Sequence, residues 1–284
     1  LFLPDSAHLP TTGFFLFHYK LRYLFDVLAD RWVLFDVLSS GALIALIVVA
    51  RRSRDLRFDP RLAAAAGLLF AVFLVMPAWV FGSFYADMRL LPTAFALAII
   101  AIAPVARTRA WHLVTVAGAA FLLVRVASTT VSMAMWDRQL ASETRVLGGV
   151  PVGSQLVTLN ARPCADFAAL GRDRDTHVGS FALIRRRAFA NDQFQMPGGQ
   201  LLRVANPAMR PFEADPSNLT VGERCDGAEP LLDDVARIPP AAEHLWIVWS
   251  VPEHPLPGWH AVRRSGGSIL YHRAMGRIGA ARVP

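Results

Sequence analysis

Lysine is nearly missing from this chain of 284 residues: Lys20 stands alone beside 28 arginines. Charge of either sign is scarce too, at 18% of residues, against roughly 25% in soluble domains. The histidines of the second half, His177, His244, His254, His260 and His272, show no HxxxH or HExxH spacing, so no metal site is expected. Gly198-Gly199 and Gly266-Gly267 sit in no GxGxxG or Walker pattern, and no Gly-x-Ser-x-Gly elbow occurs. They read as turns rather than phosphate loops. The first residues show no basic stretch ahead of an apolar one, and Leu1 stands where a Met would be. No signal peptide is read there, and the chain is expected to be the C-terminal part of a longer membrane protein.

Apolar sequence is what abounds, at 54% of residues with a mean hydropathy of +0.37. A helix that crosses a bilayer needs roughly 20 mostly apolar residues. Four runs approach that length, at about 32–50, 62–81, 90–106 and 111–133. The connecting loops carry Arg51, Arg52, Arg54, Arg57, Arg61, Arg107 and Arg109 against only Asp55 and Asp59. Such an arginine excess marks cytoplasmic loops, so the net charge of +7 is a topology signal and nucleic acid is not an expected partner. On this reading the Asp87/Arg89 turn and everything after Trp136 lie outside.

Residues 1–31 read as an outer loop and an interfacial amphipathic helix. Phe14, Phe17, Leu21, Leu24, Phe25 and Leu28 form an apolar stripe with His18, Arg22 and Asp26 beside it. Residues 32–136 hold the four spans. From 137 to 284 the pattern changes: a strand over 154–159, a helix over 176–188 capped by Thr176, mostly loop over 191–243, a strand over 244–251, and a hairpin of 259–263 with 268–272. The expected fold is a membrane α-helical bundle of four spanning helices plus an interfacial helix, followed by a small extracytoplasmic α/β domain.

Tyr85, Asp87 and Arg89 stand together in the turn between two apolar runs. An arginine there can grip a phosphate bidentately, with the carboxylate orienting it. Ordinary decoration of the membrane interface is the plainer alternative. Asp36 and Arg125 are charges inside spans, where charge is costly. They can pair, Arg125 can reach a lipid-linked phosphate, or it can snorkel to the interface. Lys20, with Arg22 and His18, can touch anionic headgroups or simply anchor its helix. Cys164 and Cys225 are expected to close a loop of about 60 residues as a disulfide in an oxidising compartment, with two buried thiols as the alternative.

An interfacial helix bearing a lysine, spans joined by short loops, the run Asp87-Met-Arg89-Leu-Leu-Pro92 opening a helix, and an α/β tail together resemble one family. It is the C-terminal half of a bacterial GT-C-type integral membrane glycosyltransferase, a class related broadly to protein O-mannosyltransferases and lipid A aminoarabinose transferase. The resemblance implies a multi-pass protein of the bacterial inner membrane with its C-terminal domain outside the cytoplasm. It further implies transfer of a sugar from a polyprenyl-phosphate donor to an unidentified acceptor on that face, with membrane lipid as the surrounding partner. Arg89, then Lys20, Asp87 and Tyr85, are the expected contacts to substrate. In that class the catalytic acid sits in an early outer loop, expected upstream of this chain, so no catalytic residue is assigned. No cofactor is evident; some members need a divalent metal. The fragment alone is expected to be inactive. A membrane-anchored binding domain without enzymatic activity and a lipid-linked glycan transporter are the alternatives.

Overall fold

The structure, a computed structural model, describes residues 11–80, 85–106, 109–164, 174, 176–193, 204–213, 219–221, 225, 229–249, 252 and 254–274. Two compact units divide the chain: 1–133 with 170–172, and 134–169 with 173–284.

Unit one contains α1 (Phe17–Asp26), α2 (Val33–Arg52), α3 (Pro60–Val75), α4 (Leu90–Ile100) and α5 (Arg109–Glu143) as far as Met133. Strands β1 (Leu56–Phe58) and β2 (Ile102–Pro104) pair antiparallel, joining the loop after α2 to the loop after α4. Pro60 opens α3 while the Asp59 carboxylate caps it, accepting from the N–H groups of Arg61 and Leu62, both at 3.0 Å.

The expectation of four spanning helices is overturned. Among the described residues only Val33–Arg52 and Trp111–Gly149 are long and apolar enough to cross a membrane. Helix α3 has 16 residues and α4 has 11, about 24 and 16 Å at 1.5 Å per residue, short of a hydrocarbon core of about 30 Å. The cause lies in how each helix stops. Pro77 lacks an N–H and bars its predecessor from helical geometry, and Met76 accordingly has ψ 137°. The chain then runs extended, and Trp79 bridges to Thr12. After α4, Ile102–Pro104 pairs with β1 instead of continuing the helix. Hydropathy counted these apolar residues as helix; their backbone is extended.

Helix α1 buries the charge of Lys20 and exposes part of its apolar surface. Leu21, at 61% exposure, and Phe17 face outward, while Lys20 and Tyr23 are buried and Leu24 packs against the cluster of Tyr23, Phe73 and Leu91. Leu34 and Leu38 on α2 and Leu122 and Leu123 on α5 are likewise exposed. Exposed apolar residues in such number fit a lipid or protein contact.

Unit two is a mixed sheet of seven strands, larger than the small domain expected. Its order is β6 (Glu229–Pro230), β5 (Leu219–Val221), β3 (Gln155–Arg162), β7 (His244–Val248), β9 (Ser268–Arg273) and β8 (Trp259–Ser265), with β4 (Phe189–Ala190) alongside the start of β3. Strands β3 to β7 are mutually parallel, and the β8–β9 hairpin joins antiparallel. Strands β5 and β6 and helix α7 (Leu231–Arg237) fall in the stretch read as loop; two or three residues are too few to show a period. Helix α6 spans Ser180–Arg186, and the Asp192 carboxylate, not Thr176, accepts the Ser180 N–H at 2.7 Å.

Both faces of the central strands are covered. Val157, Leu159, Leu245, Ile247 and Ile269 belong to one apolar cluster, and Leu156, Trp246, Val248 and Leu270 to the other. That alternation is the period-2 geometry of a strand buried on both sides. The hairpin turn is held by the buried carboxylate of Glu143, which accepts from the Gly267 N–H at 3.0 Å and from the Ser268 hydroxyl. Glu143→Ala strands both donors and is expected to cost unit two about 1–3 kcal/mol, measured by urea unfolding of the whole chain followed by tryptophan fluorescence.

Candidate functional site

Both α2 and α4 run toward the β1–β2 ribbon, so the turn that opens α4 and the first turn of α2 lie at the opposite end of unit one. The polar side chains singled out in the sequence gather there. Lys20, on the inward face of α1, is 2% exposed and reaches Asp87, 1% exposed, at 2.6 Å. Its ammonium group also donates to the carbonyls of Phe73, at 2.6 Å, and Met76, at 2.9 Å. Three donors thus meet three acceptors.

The Phe73 carbonyl is available for a reason visible in the sequence. Its helical donor would be the N–H four residues on, and that residue is Pro77, which has none. Lysine fills the vacancy that proline creates. The Phe73 ring lies 4.8 Å from the same ammonium, adding a cation–π contact. The second Asp87 oxygen accepts the Met88 N–H at 2.9 Å, so the carboxylate fixes the turn as well as the lysine. With its three protons used, Lys20 is turned into the unit rather than toward headgroups.

Tyr85, in the left-handed region at φ 59°, is 45% exposed and meets Tyr23 edge-on at 6.2 Å. Burial, and then the negative charge of Asp87, push the Tyr23 hydroxyl up to about 12. Arg89 occupies the N-cap of α4, exposed, and forms no ion pair among the described residues. A fixed, neutralised floor therefore carries one outward-facing arginine and one half-exposed tyrosine.

A second buried network lies nearby in sequence. Arg125 donates to Asp36 at 2.6 Å and to the Leu28 carbonyl at 2.7 Å, with its guanidinium 4.9 Å from the Phe35 ring. The other Asp36 oxygen accepts the Asp30 N–H at 2.9 Å, and Ser132 donates to Asp30 at 3.0 Å. Asp36 and Arg125, read from the sequence as charges inside spans, are paired with each other. Cys164 and Cys225 are bonded, with Cα atoms 5.6 Å apart, and tie together the chain after neighbouring strands β3 and β5.

Sequence reasoning missed the carbonyl partners of Lys20, the role of Tyr23 and the Asp30–Ser132 link. Pro77 four residues after Phe73 was the available signal for the first; a single Ser on an apolar helix gave none for the last. It also missed Asn191 and Asp192. The Asn191 side-chain amide bonds both the N–H and the carbonyl of Thr158, at 2.6 and 3.0 Å, and burial holds the Asp192 carboxyl above its ordinary value. No group of three His, Cys, Asp or Glu side chains suited to a metal ion occurs among the described residues.

Comparison with family models, characterised proteins and solved structures finds no match. The chemistry rests on geometry.

Lys20→Met leaves the Asp87 charge buried without its cation and is expected to destabilise the chain by about 3–5 kcal/mol. Lys20→Met with Asp87→Leu removes both charges and should recover most of that loss in equilibrium unfolding of the detergent-solubilised protein. Tyr23 titrates higher in the folded chain than in the unfolded one, so its contribution is complete below pH 10 and lost as pH rises toward about 12. Tyr23→Phe should flatten stability over that interval.

Proposed function

We propose that this chain is the part of an integral membrane glycosyltransferase that holds the phosphate of a polyprenyl-phosphate sugar donor, at the extracytoplasmic face of a bacterial inner membrane. The observation that supports it is the exposed Arg89 beside Tyr85, on a turn immobilised by the buried Lys20–Asp87 pair. In such a transfer the bond between the anomeric carbon and the phosphate oxygen breaks, a bond to the acceptor forms, and the polyprenyl phosphate departs as an anion. A guanidinium fixed next to that oxygen stabilises the charge as it develops, and can do so bidentately. Immobility matters because a donor already in place needs no reorganisation when the reaction occurs. The outward apolar residues of α1, which carries Lys20, fit a hydrocarbon tail lying alongside. The acid or base that handles the acceptor proton is not assigned to this chain.

A second reading is a membrane-anchored binding domain. Two helices of spanning length are all that an anchor requires, and unit two has its own sheet and core.

The test uses the full-length protein in membrane vesicles supplied with a polyprenyl-phosphate sugar. Arg89→Ala is expected to lower transfer about 10- to 100-fold, the range of a lost charged hydrogen bond, and Arg89→Lys to restore part of it. Unchanged transfer in Arg89→Ala removes this residue from the reaction. Absence of transfer in the unaltered protein favours the anchored domain.

A further inference from the structure

Unit one holds a cleft of about 850 Å³ between α2, α3 and α4, with Leu24 of α1 and Phe58 of β1 also lining it, within the roughly 300–1,000 Å³ of ordinary ligand pockets. Its walls are apolar, with Ile47 on α2, Phe70 on α3 and Ala98 on α4 among them. Small residues make the room: α3 contributes Gly67, where an added Cβ would meet nothing within 4 Å. One end of the cleft is cationic, because Arg51 and Arg52 line it. Both are exposed in the last turn of α2, next to the β1–β2 ribbon. No carboxylate pairs with either among the described residues. The nearby Asp59 is engaged in capping α3 through its side chain.

An apolar trough ending in two unpaired guanidinium groups has the polarity of one amphiphile: hydrocarbon along the trough, anion at its mouth. We propose that the cleft is a binding site for a single anionic phospholipid of the surrounding bilayer, its chains against Ile47, Gly67, Phe70 and Ala98 and its phosphate between Arg51 and Arg52. Guanidinium suits a phosphate because its planar donors match two oxygens at once, and basic pockets between helices at a membrane surface recognise anionic headgroups. The charged mouth, where the phosphate sits, stands at the ribbon end of unit one, whereas Arg89 stands at the other, so the lipid here is a bound component rather than the sugar donor. The proposal takes from the reading above only that unit one lies in a bilayer.

The test is native mass spectrometry of the full chain released from nanodiscs of equal parts phosphatidylcholine and phosphatidylglycerol, with undecaprenyl phosphate added in a parallel preparation. One phosphatidylglycerol should stay bound per chain in clear preference to phosphatidylcholine. Arg51→Gln with Arg52→Gln should reduce its retention about tenfold or more, and Arg51→Lys with Arg52→Lys should keep most of it. Gly67→Leu fills the trough without touching either charge and should also expel the lipid. Equal retention of phosphatidylcholine, preference for undecaprenyl phosphate, or unaltered retention in Gly67→Leu would overturn the site. Retention is read without sugar transfer, so its loss leaves the glycosyltransferase reading standing. Release of the unaltered chain from membranes by alkaline carbonate would instead remove the bilayer on which both depend.

Discussion

A charge buried in a low-dielectric interior must find its opposite, and unit one is arranged around two such requirements. Lys20 meets Asp87 and Arg125 meets Asp36, each at 2.6 Å. Each pair links elements distant in sequence: α1 to the turn before α4, and α2 to α5. Apolar contacts alone do not select a register between smooth helices, because leucine and valine faces can slide. An ion pair with its hydrogen bonds satisfied has one position of low energy, and displacement by a few ångströms leaves a bare charge. The outward faces of these helices are free to be apolar because their specificity is supplied from within.

Buried ion pairs distinguish unit one from unit two. In unit two the core is a two-sided sheet whose inward residues are Val, Leu, Ile and Trp. Its polar interior groups bond mainly to backbone: Asn191 substitutes for a ladder partner of Thr158, Asp192 closes the start of α6, and Glu143 fastens the β8–β9 turn. Gly179 shows how tight this is, since a Cβ there would come within 2.6 Å of the Thr158 hydroxyl and 2.8 Å of the Asp192 carboxylate. Buried polar groups thus join distant segments in both units, through ion pairs between helices in one and through bonds to backbone groups of the sheet and its turns in the other.

The sequence made some of this legible. Val33–Arg52, Trp111 onward and the hairpin around Gly266-Gly267 carry strong local signals, an unbroken apolar run in the first two and period-2 alternation with a turn in the third. The coincidence of Lys20, Asp87, Asp36 and Arg125 as singular charges also stood out from an apolar background. What could not be read was direction. The stripe of Phe14, Phe17 and Leu21 reads as the face of an interfacial helix and is exposed, but nothing in its spacing says that Leu24, in the same stripe, packs against Phe73 and Leu91 while Lys20 turns inward. Nor does hydropathy register a helix end: Pro77 just past α3 and the strand Ile102–Pro104 just past α4 each lie in apolar surroundings that a running average passes over. Strands β4, β5 and β6 draw their existence from β3, not from their own two or three residues.

The Cys164–Cys225 bridge encloses 61 residues of sequence separation and joins the chain just beyond two adjacent strands. A single peptide-bond cleavage anywhere inside that circle would divide the backbone without releasing either piece. The two fragments would migrate as one species until a thiol was added, and β3 and β5 would keep their alignment across the nick. The segment carrying β4 and β5 can therefore be opened at one point while the sheet to which they belong remains a single covalent object.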